Sequence, residues 1–135
     1  MDDLRIKRYR DKINYIIDKI KDLQVNPKND LEKNGIFYII QTSIEAMTNI
    51  IAMLIKDMGI PVEEDSTNIS EFVKKRKINL ELGEKLKKAN GLRNILVHSC
   101  GGVDEQIILD SVEDIRELLF NWLDIVEEIL NELSQ

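Results

Sequence analysis

The chain has 135 residues, of which 43% are hydrophobic and 33% charged, with a formal net charge of −6. That balance excludes a disordered chain, and the length suits one domain over residues 1–135 with a core of its own. The single cysteine, Cys100, excludes an intramolecular disulfide and a multi-cysteine metal site.

Two prolines and six glycines favour long helices over a many-turned β architecture. The first helix is predicted over about residues 3–24, where Ile6, Tyr9, Ile13, Ile16, Ile20 and Leu23 recur every three or four positions. Pro27 closes it. The second runs from about 30 to 58, with Asn29 as N-cap and Glu32 completing a capping-box pattern. Ile40, Ile44, Met47, Ile51, Leu54 and Met58 form its stripe, and Ile36, Phe37, Ile39, Ile50 and Ile55 widen it. A helix apolar on more than one face is central in a bundle or lies at a subunit interface. Gly59 and Pro61 stop it.

Residues 60–68 read as a polar loop, and a short helix follows at about 69–76 with Asn68 as its cap. The next long helix covers about 80–98, with Leu82, Leu86, Ala89 and Ile95 or Leu96 on its buried side. Gly91 within it offers a neighbouring backbone or a ligand a close approach. Gly101-Gly102 marks a turn. The last helix runs from near Asp104 to about 133 on Ile108, Val112, Ile115, Leu119, Trp122, Val126, Ile129 and Leu133, with Leu109-Asp110-Ser111 as a candidate interruption. The sum is an all-α, antiparallel four-to-five-helix bundle. Its surplus of apolar stripe points to a homodimer. The start at Met1-Asp2-Asp3 lacks an apolar leader, and apolar runs are far shorter than the roughly 20 residues of a bilayer span. The expectation is a cytoplasmic protein with no membrane contact.

Charge is unevenly placed. Residues 74–93 carry eight basic side chains (Lys74, Lys75, Arg76, Lys77, Lys85, Lys87, Lys88, Arg93) against Glu81 and Glu84, and residues 104–132 carry ten acidic ones against Arg116. A solvated face is the plain reading of such a run, but the basic stretch leads into Arg93-Asn94-Ile95-Leu96-Val97-His98. His98, the sole histidine, is the one side chain ready to shuttle protons near neutrality. Asn94 stands four positions before it, on the same helix face. Arg93, five before it, falls about 140° away. Arg93 then reaches around, or the helix loosens at its end, or a second helix completes the site.

Such a set suits metal-independent RNA cleavage. Histidine moves the protons as the 2′-oxygen attacks phosphorus and the 5′-oxygen leaves. Arginine's planar fork holds the extra phosphate charge, and Asn94 orients His98 or binds phosphate oxygens. The spacing by itself is unspecific. No glycine-rich phosphate loop and no HExxH pair is present, so neither a nucleotide-binding motif nor a metal or other cofactor is indicated. A Cys100–His98 nucleophile pair is disfavoured, because side chains two apart on a helix diverge. Glu127-Glu128 reads as solvated.

Gly91-Leu92-Arg93-Asn94-Ile95-Leu96-Val97-His98 resembles the signature of HEPN domains, an arginine, four to six residues, then histidine. It is most similar to the HepT subgroup, whose motif reads R-N-x-x-x-H-x-Y. Residues 69–96 (ISEFVKKRKINLELGEKLKKANGLRNIL) resemble that family's short helix, break and motif helix, and Gln41-Thr42-Ser43-Ile44-Glu45-Ala46 resembles its second helix. The resemblance implies a helical bundle that dimerises with the motif helices near the two-fold axis. It implies an RNA-cleaving toxin acting on tRNA or mRNA, with Arg93 and His98 catalytic and Asn94 supporting. It also implies a partner, an MNT-type nucleotidyltransferase antitoxin. The sequence departs from the family at Cys100, which stands where the family has the tyrosine that the antitoxin modifies with AMP. The other readings are an inactive HEPN protein that binds nucleotide or RNA or docks a nucleotidyltransferase, and a plain dimerisation module.

Overall fold

The computed structural model describes residues 1–98 and 104–134. Six helices and no strand occur among these residues: α1 (Asp3–Ile20), α2 (Asp30–Asp57), α3 (Asp65–Lys75), α4 (Leu80–His98), α5 (Glu105–Asp110) and α6 (Val112–Leu133). The all-α expectation holds, with one helix more than foreseen. The extra one comes from a break at Ser111. Its hydroxyl donates to the Ile107 carbonyl at 2.8 Å instead of capping the next helix, and the predicted last helix divides there into α5 and α6. Gly101-Gly102 lies outside the described residues.

α2 is the centre, packed against α1, α3, α4 and α6. Eleven of its side chains are buried, among them Ile44, Met47, Ile51, Leu54 and Ile55. This resolves the breadth of its apolar surface, which is covered largely within the chain. α2 is also the one helix among the described residues long and apolar enough to cross a membrane, but over half of that stretch is buried. Asn29 caps it as expected, accepting from the Glu32 amide at 2.9 Å. The Glu32 carboxylate returns one residue earlier than a capping box would, to the Lys28 amide at 3.0 Å.

The predicted stripes of α1 and α6 supply most of the buried side chains of those helices, although α1 ends at Ile20, short of Leu23 and of the expected end near residue 24. Tyr9, Ile13, Ile16 and Ile20 meet the core from α1; Ile108, Val112, Ile115, Leu119, Trp122, Val126 and Ile129 meet it from α5 and α6. Trp122 is wholly buried, and its indole N–H has no hydrogen-bond partner among the described residues. In α4, Leu86 and Ala89 are buried and Leu96 packs on the core, whereas Ile95 is 46% exposed.

Polar ties fix the helices to one another. Arg116 of α6 donates to the carbonyls of Ile20 (2.8 Å) and Leu23, tying the end of α1 and the turn after it to α6. Arg10 of α1 pairs with Glu127 of α6. Asp57, at the end of α2, receives Arg5 at 3.0 and 3.1 Å and the Tyr9 hydroxyl at 2.5 Å. Burial, then the hydrogen bond to the Asp57 carboxylate, raises the Tyr9 pKa above its ordinary value.

α3 starts four residues before the predicted start. Asn68 is not its cap but a buried interior residue, and Glu64 holds the N-cap position without a side-chain bond. The Asn68 amide instead accepts from the Glu63 N–H at 2.8 Å and donates to the Glu63 carbonyl at 3.0 Å, pinning the incoming loop. Gly83 of α4 makes the close approach between α3 and α4, since a Cβ there would stand 3.0 Å from Val73. Gly91 has open space around it among the described residues.

α2 and α3 end in the same turn. After α2, Ile60 N–H bonds the Ile55 carbonyl at 2.9 Å and Gly59 N–H the Lys56 carbonyl at 3.0 Å. After α3, Ile78 bonds Val73 at 2.9 Å and Lys77 bonds Lys74 at 3.4 Å. Both are Schellman motifs, which need a left-handed residue. Gly59 supplies φ 81° without penalty, but Lys77 sits at φ 53° with a Cβ that resists it.

Two outcomes are expected in chemical denaturation. Lys77→Gly raises stability by about 0.5–1 kcal/mol and Gly59→Ala lowers it by about 1 kcal/mol, because only the first relieves a left-handed side chain. Tyr9→Phe costs about 1 kcal/mol near neutrality through the lost hydrogen bond. A raised folded-state pKa means that the Tyr9 contribution is complete below its unfolded value near 10 and fades as pH rises beyond it. The Phe variant therefore loses less stability above pH 10 than the parent, and equal losses there would contradict this account.

Candidate active site

α4 carries the motif to its end and presents the residues in two directions. Gly83, Lys87, Gly91, Asn94 and His98 follow one another at spacings of four, four, three and four, one row along the helix. Gly91, Asn94 and His98 are exposed and Lys87 is half-exposed. Arg93 lies off this row and turns toward α2. Its Nε donates to Glu45 Oε1 at 3.3 Å, with the two side chains 26% and 33% exposed. Its Nη1 donates to Asn94 Oδ1 at 2.9 Å. Gln41, one turn before Glu45 on α2, donates Nε2 to the same Oε1 at 3.2 Å.

The polar row Gln41–Glu45–Arg93–Asn94 thus joins the middle of α2 to the exposed face of α4. It holds the guanidinium in place, and Asn94 is the link between the arginine side and the histidine row. No hydrogen bond joins His98 to Arg93 or Asn94 among the described residues. The angular separation read from the sequence persists, and α4 stays helical through His98. Ser99 and Cys100 lie outside the described residues, so the departure at Cys100 has no structural counterpart here.

Glu45 and Gln41 are the residues that motif reasoning left without a role. A signal was present: Glu45 is the single charged residue between Lys33 and Lys56. A lone carboxylate in the middle of the most apolar helix calls for a cationic partner. One turn of α4 before Arg93, Asn90 is 6% exposed and its Oδ1 is unpaired among the described residues.

The surroundings include exposed apolar side chains. Lys33 of α2 pairs with Glu105, the first residue of α5, at 3.1 Å. The first turns of α2, the end of α4 and α5 therefore share one end of the molecule. Leu31, Tyr38, Ile95, Val97 and Ile107 are all exposed there. No group of three or more His, Cys, Asp or Glu side chains that could hold a metal occurs among the described residues.

Comparison with known proteins identifies the family of the chain. The family described as ribonuclease HepT-like matches residues 6–129. The chain belongs to the HepT-like ribonuclease family. A protein of Archaeoglobus fulgidus named "Putative RNase" is 41% identical over 131 residues, covering 97% of this chain and 99% of the relative. A second protein of that organism with the same name is 32% identical over 116 residues, covering 85% and 88%. "Putative RNase MJ1548" of Methanocaldococcus jannaschii is 39% identical over 67 residues, covering 49% of this chain and 77% of the relative. No solved structure matches the chain. In this HepT-like protein, α4 carries the arginine and histidine of the motif, and α2 supplies the carboxylate that the arginine contacts.

The Arg93–Glu45 contact is half-buried and crosses two helices. A double-mutant cycle with Arg93→Ala and Glu45→Ala, read by chemical denaturation, is expected to give a coupling of about 0.5–1 kcal/mol. Strict additivity would mean that the contact does not hold α4 to α2.

Proposed function

We propose that this protein is the toxin of a toxin–antitoxin pair and a metal-independent endoribonuclease, with Arg93 and His98 catalytic and Asn94 supporting. The observation that carries the reading is the tethered guanidinium. Glu45 and Asn94 keep Arg93 ordered at the edge of α4, while His98 stands exposed on the adjoining face. The names of the relatives supply the substrate class, RNA.

The chemistry divides between the two side chains. The His98 imidazole takes the proton of the ribose 2′-hydroxyl, or returns one to the leaving 5′-oxygen. The 2′-oxygen bonds to phosphorus as the phosphorus–5′-oxygen bond breaks. The Arg93 guanidinium donates to the phosphate oxygens that gain charge in between. Asn94, already bonded to Arg93, sets its orientation.

The 140° between Arg93 and His98 supports a homodimer. A second copy, turned about a two-fold axis at this end, would place a further His98 opposite the first and cover Tyr38, Ile95, Val97 and Ile107. The partner antitoxin would be an MNT-type nucleotidyltransferase, and the setting cytoplasmic. With Cys100 in place of the family's tyrosine, that antitoxin would need an acceptor other than the usual hydroxyl. The same residue favours the second reading, an inactive HEPN protein that binds nucleotide or RNA, or docks the transferase without cleaving.

End-labelled RNA, tRNA included, incubated with the protein in excess chelator separates the two. Cleavage by the parent is expected to fall by about 10²–10⁴-fold in His98→Ala and Arg93→Ala, with circular dichroism unchanged. Cleavage that is absent, or equal in all three, would sink the nuclease reading and leave the binding one.

A further inference from the structure

Of the eight basic side chains between residues 74 and 93, three are engaged within the fold. Arg76 holds Glu132 at 2.5 Å, Lys85 holds Glu81 at 3.5 Å and Arg93 holds Glu45 at 3.3 Å. Lys74, Lys75, Lys77, Lys87 and Lys88 make no ion pair among the described residues. They divide by side. Lys88, with Lys85, lines a groove of about 690 Å³ between α4 and α6, opposite Asp114 and Glu117. A phosphate there would meet carboxylates. Lys74, Lys75 and Lys77 surround the α3–α4 turn, all three exposed. Gly83 packs on Val73 of α3, and Gly83 heads the row that continues through Lys87, Gly91 and Asn94 to His98. That row borders α3, not the acidic groove.

Lys77 adds an independent observation. It occupies the left-handed position that the matching turn after α2 gives to glycine. A side chain in that region costs the fold something, so the choice of lysine there invites a role for its ammonium group. The exposed ammonium groups offer charge without a directional fork, which suits backbone contacts that are indifferent to sequence.

We propose that the α3–α4 turn is a second RNA contact, in which Lys77, flanked by Lys74 and Lys75, binds the phosphates of a single strand whose scissile bond lies at the far end of α4. This rests on the nuclease reading of α4 and adds where the strand runs. The 19 residues of α4 span about 28 Å at 1.5 Å per residue, or about eight nucleotides at a stacked spacing of 3.4 Å. Lys87 lies between the two ends. Gly91, with no side chain, leaves the row low at its middle.

The test is binding of single-stranded RNAs of roughly 4 and roughly 20 nucleotides, shorter and longer than that span, over a range of salt concentrations. His98→Ala serves as the background, so that binding is read without cleavage. Lys77→Gly is the main variant because it removes the charge while relieving the backbone. A higher thermal midpoint would show that any lost affinity is not unfolding. The Lys74→Ala, Lys75→Ala pair is the second variant, and Lys7→Ala on α1 is the control. Lys77→Gly is expected to weaken the long RNA severalfold, lower its salt slope by about 0.7 and leave the short RNA unchanged. Lys7→Ala should alter neither. Unchanged long-RNA affinity and slope in both turn variants would overturn the proposal and leave the lysines to an acidic protein partner. A parent that binds long RNA through Lys77 yet cleaves none would remove the nuclease reading and the scissile bond with it, and keep the turn as an RNA contact.

Discussion

The structure depends on the burial of α2. Between Lys33 and Lys56 that helix carries one charge, Glu45, and its apolar side chains face more than one way. No single neighbour can cover such a surface, so α1, α3, α4 and α6 all close on it. Burial of apolar area is the dominant favourable term in folding, and here one element organises most of it. The cross-helix polar contacts of Arg5, Arg10 and Arg116 act at the margins of that core, where they fix the order and tilt of helices already drawn together.

Glu45 is where this constraint meets the candidate chemistry. A carboxylate in the middle of α2 is tolerated because Arg93 and Gln41 reach it. The arginine is correspondingly pinned, its Nε on Glu45 of α2 and its Nη1 on Asn94. A guanidinium held in this way loses less freedom on meeting a phosphate than a free surface arginine does. The same pairing lowers its net positive field, so the lysines along α4 and the α3–α4 turn matter more to any polyanion approaching from a distance.

Much of this was legible in the sequence, for stated reasons. Apolar spacing located α1, α2, α4 and the α5–α6 stretch because their buried side chains recur at helical intervals, and α4 runs over the residues that periodicity assigned to it. Asn68 misled because its type and spacing imitate a cap. Its side chain satisfies both backbone groups of Glu63 instead, a bond between loop and helix that local patterning cannot encode. Ser111 was foreseen as a break but not the means, which is a hydroxyl turned back on its own helix. At the candidate site, the separation of Arg93 from His98 followed from helix geometry alone. Glu45 did not, since pairing across 48 positions of sequence depends on how α2 and α4 pack.

Trp122 gives the molecule a particular optical character. The chain has one tryptophan, and it lies at zero exposure on α6 with its indole N–H unpartnered among the described residues. An indole so shielded from water emits toward the blue, and its emission moves to the red only when the core opens. Intrinsic fluorescence in this protein is therefore a gauge of core integrity. Ligands settling on the exposed face of α4 would leave it dark to their arrival, unless they loosen the helices beneath.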